Sequence, residues 1–216
     1  MLDLLGPLLR GMAITGEIFV GAALVAIFFG LFIGLLRISP VWPLKWLAVA
    51  YIEIFRGTSL LVQLFWWFFV LPQFGIFLAP LVVGIFGVGM NVGGYGAEVV
   101  RGAIQAVPKA QYETATALNM SPGIRMRRVI LPQAFRAMLP PWGNLLIELL
   151  KGTSLVSLIT IHDLTFMGNQ LNITTFRTIE VFTLVLILYF ILARGVITPT
   201  VRWFERRVSR GVVRGV

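Results

Sequence analysis

The sequence predicts an all-α membrane protein with five transmembrane helices, its N-terminus outside and its C-terminus inside. The chain of 216 residues is 58% hydrophobic and only 12% charged, with a mean hydropathy of +0.90, whereas soluble domains are about half apolar and a quarter charged. Five apolar segments are each long enough to supply the ~20 residues that cross a bilayer. The Lys and Arg residues concentrate between these segments, as the positive-inside rule describes for cytoplasmic connections.

The five predicted spans follow one another along almost the whole chain. They lie at roughly 11–36, 44–71, 76–100, 141–163 and 178–199, with boundaries drawn to within ~2–4 residues. The second span ends in the aromatic run WWFF, and the fourth is expected to start after the pair Pro140-Pro141. The first span is far longer than the apolar part of a signal peptide, so no cleavable signal is predicted.

The third predicted span is rich in glycine. Its glycines are Gly84, Gly87, Gly89, Gly93, Gly94 and Gly96. Small residues let helices approach one another closely in lipid. This pattern indicates either close packing against a neighbouring helix or a helix that borders a pore and must yield.

A charged stretch, residues 101–136, separates the third and fourth predicted spans and carries six Lys or Arg residues. Placing it in the cytoplasm also puts Arg37, Lys45 and the basic C-terminal end inside. The C-terminal arginines are Arg194, Arg202, Arg206, Arg207, Arg210 and Arg214. The remaining basic residues are Arg10 and Arg177 outside and Arg56 and Lys151 within the spans. This distribution predicts the orientation.

The residue inventory excludes several kinds of site. The chain has no cysteine and one histidine, so no disulfide or thiolate metal site can form, and no metal or catalytic site is predicted at His162. It contains no G-x-x-x-x-G-K-[ST] phosphate loop, so we expect it to bind no ATP itself. The net charge of +9 and pI ≈ 11.1 are explained by the positive-inside pattern, and no nucleic-acid partner is predicted.

The stretch 101–136 is predicted to form a helix–turn–helix outside the bilayer. In its segment QYETATALN, Tyr112, Ala115 and Leu118 recur at the spacing of one helix face. Asn119 follows the last helical residue, where a left-handed conformation is usual and Asn is the second choice after Gly. The first short helix is therefore expected to end in a left-handed turn.

The second short helix is predicted from PGIRMRRVIL. Ser121 can cap its start, with Pro122 at the first helical position, and the helix is expected to stop before Pro132. The residues alone leave two interpretations open. The element is either an amphipathic loop that lies on the membrane or a docking element for a cytoplasmic partner.

One polar phrase occurs twice inside apolar segments. The chain reads IEIFRGTSLL over 52–61 and IELLKGTSLV over 147–156. The repeated polar residues are Glu53, Arg56, Thr58 and Ser59 in the first copy and Glu148, Lys151, Thr153 and Ser154 in the second. Both copies are predicted near mid-membrane, in helices that run in the same direction.

Charges at that depth are costly and face protein or water rather than lipid. In each copy the acidic and basic residues are three positions apart, on one helix face. One interpretation is that the two charges of each pair neutralise each other. The hydroxyls would then bond back to the helix, and the glycine would permit close packing. The other is that these residues line a passage, where Lys151 binds a carboxylate and Glu148 an amine.

The charged stretch and its flanks resemble a known family. Permeases of ATP-binding-cassette (ABC) importers carry the cytoplasmic pattern E-A-A-x-x-x-G-x9-I-x-L-P. This chain matches its register and departs from it at three positions. The corresponding residues are Glu113, Thr114 (for Ala), Ala115, Asn119 (for Gly), Val129 (for Ile), Leu131 and Pro132. The stretches GYGAEVVRGAIQAVPKAQYE, RVILPQAFR, FRGTSLLVQLF and KGTSLVSLI are similar to the polar-amino-acid branch of that family.

The resemblance covers roughly residues 10–205 and implies one type I transmembrane permease domain, 1–216, with 101–136 as its coupling loop. It implies a multi-pass subunit of a bacterial inner membrane that forms a pathway for a polar amino acid or small zwitterion. The implied ATPase-coupling residues are Tyr112, Glu113, Ala115, Leu118, Asn119 and Ser121. An ion-driven carrier or channel is the main alternative, and a polytopic membrane enzyme is a further one.

The resemblance also implies partners. These are a dimer of cytoplasmic ABC ATPases, a second permease subunit that is a copy or a paralogue, and an extracytoplasmic substrate-binding protein. ATP and Mg would be bound by the ATPase, and this chain is expected to hold no cofactor and to catalyse no reaction.

Overall fold

The computed structural model describes residues 2–209, and this part of the chain is helical, with no β-strand. Arg210 and Arg214, two of the predicted inside charges, lie outside the described residues. The α-helices are α1 (Leu2–Arg37), α2 (Trp42–Gly57), α3 (Leu60–Phe65), α4 (Pro80–Gln105), α5 (Lys109–Ala117), α6 (Pro122–Arg125), α7 (Leu131–Thr153), α8 (Leu164–Thr175), α9 (Thr178–Ile191) and α10 (Thr198–Ser209).

Short turns of different hydrogen-bonding pattern extend several of these helices. The π-helical turns are Trp66–Val70, Met126–Ile130 and Leu192–Ile197, and the 3₁₀ turns are Leu71–Phe74 and Ser154–Ile159. One π turn joins α6 to α7 and another joins α9 to α10. The chain therefore forms two long helical rods, one leading out of the charged stretch and one at its C-terminal end.

Three helices are long and apolar enough to cross a membrane, namely Asp3–Arg37, Pro80–Gln105 and Thr178–Val208. Two further helix pairs qualify only when taken together. Trp42–Gly57 with Leu60–Phe74 is bent by 103°, and Pro122–Ile159 with Leu164–Thr175 is bent by 52°. The described residues thus contain three spans, or up to five if each bent pair crosses once.

The second and fourth predicted spans differ from the structure. A continuous helix over 44–71 was expected, but the chain leaves helical geometry at Thr58 and Ser59. The fourth was expected to start after Pro140-Pro141, yet both prolines lie inside α7. Helix α8 was not predicted, because LTFMGNQLNITT mixes apolar and polar residues without a long apolar run.

Helix α4 packs along α1 at very short range. A Cβ atom added at Gly89 would lie 2.7 Å from Cβ of Val25 and 2.8 Å from the carbonyl oxygen of Ala22. One added at Gly34 of α1 would lie 2.7 Å from Cβ of Val100. At these places the two helices approach too closely for any side chain, which explains Gly89 of the third predicted span by close packing.

Replacing Gly89 with leucine should lower the free energy of unfolding by about 1–3 kcal/mol, the usual cost of overpacking. Gly102, on the same helix, is exposed and an added Cβ there meets nothing within 4 Å. Gly102→Leu is therefore the matched control and should keep the wild-type midpoint of thermal unfolding in detergent. Equal midpoints for the two variants would contradict the packing argument.

A buried carboxylate ties α8 to its neighbours. Asp163 is completely buried, caps α8 by accepting from the backbone N–H of Phe166 at 2.9 Å, and also accepts from the hydroxyl of Tyr189 at 3.3 Å. The backbone N–H of Leu164 donates to Oγ1 of Thr15 at 3.0 Å. These bonds join α8 to α9 and α1, and they satisfy polar groups that would be costly to leave unpaired.

Candidate functional site

The turn of the predicted coupling loop has the expected left-handed residue. Asn119 has φ +54°. Its N–H donates to the carbonyl of Thr116 at 2.9 Å, and the N–H of Met120 donates to the carbonyl of Ala115 at 3.0 Å. These two bonds form a Schellman motif, which closes the C-terminal end of α5. Asn119, which stands where the family pattern has Gly, therefore leaves the turn intact.

Side chains hold this loop against the membrane helices. Ala115 is buried, and the hydroxyl of Tyr112 donates to the carbonyl of Ile104 at 3.0 Å. Arg125 donates to Oγ1 of Thr116 at 2.8 Å, and its guanidinium lies over the ring of Tyr112, 5.8 Å from the centroid. The small side chain of Ala115 lets α5 lie close to the part of the protein against which it packs.

The predicted coupling residues divide between two environments. Glu113, Leu118, Asn119 and Ser121 are exposed, so they are accessible to a partner. Tyr112 and Ala115 face the protein instead, so Tyr112, Ala115 and Leu118 do not form one common surface. Ser121 begins α6 without a side-chain capping bond.

The second half of the predicted helix–turn–helix is not a separate short helix. It was expected to end before Pro132, but the chain passes from α6 through the π turn Met126–Ile130 into α7. Within the π turn, the N–H of Leu131 donates five residues back, to the carbonyl of Met126. This wider turn accommodates the proline in a continuous helix.

The first copy of the repeated phrase lies at the sharper of the two helix-pair bends, which measures 103°. Helix α2 ends at Gly57, Thr58 and Ser59 are extended, and α3 starts at Leu60. Thr58 Oγ1 donates to the carbonyl of Ile54 at 2.7 Å. The Gly-Thr-Ser run therefore forms the break itself, with its hydroxyl bonded to the end of the helix that it terminates.

Two buried amides stabilise that break. Gln63 donates to Thr58 Oγ1 at 2.6 Å and to the carbonyl of Phe55 at 3.0 Å. Asn91 of α4 donates to the same carbonyl at 2.8 Å and to Oε1 of Gln63 at 3.1 Å. The carbonyls exposed by ending a helix inside the membrane thus find partners, as they must in lipid. Sequence reasoning missed both amides, although single polar residues within apolar segments mark such positions.

The second copy also lies where a helix changes. Helix α7 ends at Thr153 and continues as the 3₁₀ turn Ser154–Ile159, which ends at Thr160 with φ +66°. Thr153 is completely buried and donates to the carbonyl of Leu150 at 2.7 Å. Ser154 is half-buried and donates to the carbonyl of Lys151 at 2.7 Å. These hydroxyls therefore serve the end of the helix, and Thr153 has no exposed surface.

The charged residues of the second copy open onto a pocket of about 320 Å³, which we call the central pocket. Its lining residues are Leu60, Asn91, Val92, Tyr95, Glu148, Lys151 and Gly152. Leu60 follows the break of the first copy, and the guanidinium of Arg56 lies 5.0 Å from the ring centroid of Tyr95. The structure thus brings residues of the two distant phrases together at one pocket beside α4, and a Cβ added at Gly152 would lie 3.2 Å from Cδ2 of Leu60.

Neither copy forms the ion pair that its spacing suggests. Among the described residues, the salt bridges involve Arg37, Arg101 and Arg177 with Asp3, Glu98 and Glu180. Glu53, Arg56, Glu148 and Lys151 are all exposed. The central pocket therefore presents one anionic and one cationic side chain that are not joined to each other within 4 Å.

Comparison with known proteins gives one consistent family. Residues 5–210 match the family described as "binding-protein-dependent transport system inner membrane component". A probable amino-acid ABC transporter permease protein of Sinorhizobium fredii is 48% identical, over 96% of this chain and 90% of its own length. The octopine transport system permease protein of Rhizobium radiobacter is 35% identical, over 94% of this chain and 89% of its own length.

The fold comparison agrees. The solved structure of an amino acid ABC transporter with histidines superposes with a TM-score of 0.89 at 35% sequence identity, covering 96% of each chain. The chain therefore belongs to the family of inner membrane components of binding-protein-dependent transport systems, which confirms the predicted ABC importer permease, a transport subunit rather than an enzyme.

Proposed function

We propose that this permease forms the pathway for a polar amino acid or a similar small zwitterion. The central pocket is the observation that carries the proposal. Lys151 offers a cation to a carboxylate, Glu148 offers an anion to an amine, and neither is neutralised by the other. A substrate that carries both charges fits this arrangement. The names of the relatives from Sinorhizobium fredii and Rhizobium radiobacter support the same substrate class.

The proposal includes the partners of the family. A second permease, identical or paralogous, completes the pathway, an extracytoplasmic binding protein delivers substrate, and a dimer of cytoplasmic ATPases binds ATP and Mg. This chain binds no cofactor. The family assignment sets aside the alternatives of an ion-driven carrier, a channel and a membrane enzyme.

We further infer a single transmembrane domain in the bacterial inner membrane, with 101–136 as the cytoplasmic coupling loop. Counting each bent helix pair as one crossing gives five spans. An odd number of crossings places the termini on opposite sides, and the basic residues place the C-terminal end inside. Glu113, Leu118 and Asn119 then form an exposed surface for the ATPase.

Labelling with an impermeant thiol reagent tests this orientation. The chain has no cysteine, so single cysteines at the exposed positions Asp3 and Lys109 report independently. In intact cells we expect Asp3→Cys to be labelled and Lys109→Cys to be protected until the cells are lysed. The reverse pattern would overturn the assignment.

Measuring the uptake of a defined set of solutes tests the substrate class. The transporter, reconstituted with its ATPase and binding protein, should take up labelled zwitterionic amino acids when ATP is supplied and not when a non-hydrolysable analogue replaces it. A neutral sugar of similar size should not compete. Transport of the sugar without transport of any zwitterion would refute the proposed substrate class.

A further inference from the structure

One face of the C-terminal rod changes from apolar to basic along its length. Ile187, Phe190 and Ile191 of α9 are 43%, 63% and 49% exposed. Beyond them on the same helical rod lies a surface pocket of about 960 Å³. We call its four arginines, with Trp203 between them, the basic stripe: Arg194, Arg202, Trp203, Arg206 and Arg207. The stripe thus continues an exposed apolar surface into a concentration of positive charge.

The arginines of the basic stripe have no carboxylate partner among residues 2–209. The salt bridges found there use other arginines. Glu205 is the one carboxylate of α10, and it points towards α7, since a Cβ added at Gly143 would lie 3.8 Å from its Oε1. The stripe is therefore a site of unneutralised charge that suits an anion.

The length of the rod places the part of the stripe from Arg202 onward beside the lipid headgroups. Thr178–Val208 contains 31 residues. At 1.5 Å per residue it is about 46 Å long, whereas the hydrocarbon core is ~30 Å thick. Arg202 lies about 36 Å from the start of the rod, which is beyond that core. Trp203, with the guanidinium of Arg207 at 5.1 Å from its ring centroid, also suits the interface, where tryptophan is enriched.

We propose that the basic stripe binds the phosphate of an anionic phospholipid whose acyl chains lie along Ile187, Phe190 and Ile191. Guanidinium groups bind phosphate with paired, charge-assisted hydrogen bonds. The exposed apolar surface that leads into the stripe suits an acyl chain, whereas a soluble anion or a cytoplasmic protein would leave it unused. This site is separate from the central pocket and does not depend on the transported solute.

Lipid binding to the full-length chain in a non-ionic detergent tests the proposal. Native mass spectrometry, with palmitoyl-oleoyl phosphatidylglycerol or phosphatidylcholine titrated in, reports how many lipids each chain retains. We expect the wild type to retain phosphatidylglycerol at a concentration roughly tenfold lower than phosphatidylcholine, since basic side chains favour the anionic lipid. The double variant Arg202→Gln with Arg206→Gln should lose that preference, and Arg202→Lys with Arg206→Lys should keep it.

The double variant Arg127→Gln with Arg128→Gln is the matched control, because it removes two exposed charges from the coupling loop and should leave the preference unchanged. Retention of the preference by Arg202→Gln with Arg206→Gln, or equal loss in the control, would overturn the proposal. Full competition by soluble glycerol phosphate at equal concentration would assign the stripe to free anions. Loss of the co-purifying ATPase from the variant Arg202→Gln with Arg206→Gln, when phosphatidylcholine is the only lipid present, would assign the stripe to protein docking. Either result would also refute the lipid site.

Discussion

Replacing Glu113 with lysine should abolish ATP-driven uptake while the permease still inserts and folds. Glu113 is exposed on α5 and makes no hydrogen bond or ion pair with the described residues. Its replacement should therefore change the free energy of unfolding by no more than about 0.5 kcal/mol, as at most surface positions. At the proposed ATPase surface, however, the partner binds a negative charge in the wild type and would meet a positive charge in the variant. Such a like-charge contact costs several kcal/mol.

Uptake and substrate-stimulated ATP hydrolysis in proteoliposomes measure this effect. The thermal unfolding midpoint of the purified variant is its control and should equal that of the wild type. Full transport together with full stimulated hydrolysis in Glu113→Lys would show that the loop does not couple the two subunits.

Asn119 provides a second, conformational test of the same loop. Asn119→Gly should be tolerated, because glycine adopts a positive φ without strain. Asn119→Val places a β-branched side chain at φ +54°, a genuine outlier for such a residue. The valine variant should therefore open the turn and reduce uptake roughly 5- to 30-fold, given about 1–2 kcal/mol for the left-handed conformation. Equal uptake by the two variants would contradict a rigid turn.

Lys151→Met should produce the second large loss. Lys151 lies exposed in the central pocket and is not paired with Glu148, so its removal leaves no buried charge without a partner. What it removes is a charge-assisted contact to the substrate carboxylate, worth ~1.5–3 kcal/mol, or roughly 10- to 100-fold in half-saturation. Lys45, an exposed lysine on α2 that does not line the central pocket, is the matched control, and Lys45→Met should transport normally.

The double variant Glu148→Gln with Lys151→Met separates binding from structure. If the two residues bind substrate, the double variant inserts and docks normally, yet its half-saturation concentration stays far above that of the wild type. Uptake at the wild-type level in the double variant would end the substrate-site interpretation and leave the repeated phrase as a structural device. Uptake kinetics at several substrate concentrations distinguish these results.

Local chemistry made the coupling turn predictable. Asn119 follows a short amphipathic helix and favours a left-handed residue that ends it. The pair Ser121-Pro122, two residues later, favours the start of the next helix. The glycines of the third span likewise predicted the close approach that the structure shows between α1 and α4. For the turn, neighbouring residues along the chain determine the outcome, whereas the helix contact joins residues far apart in sequence, such as Gly89 and Val25.

The bend at Thr58 and Ser59 was not predictable in the same way. Hydropathy averages over a span, and the segment around the bend is apolar enough to suggest one helix. The break becomes stable only because Asn91, distant in sequence, bonds with Gln63 to the carbonyls that it frees. The prediction that a helix stops before Pro132 was wrong for a related reason. The π turn Met126–Ile130 lets the helix continue through Pro132, and no pattern in the sequence reveals its hydrogen bonds.

The uninterrupted rod from Pro122 to Ile159 has a mechanical consequence. From Pro122 to Lys151 it measures about 44 Å at 1.5 Å per residue. A stiff lever of that length, tilted by only about 5° at one end, displaces the other by about 4 Å, which exceeds the length of a hydrogen bond. A small tilt of the rod at the loop would therefore displace the wall of the central pocket without any change in the internal shape of the rod.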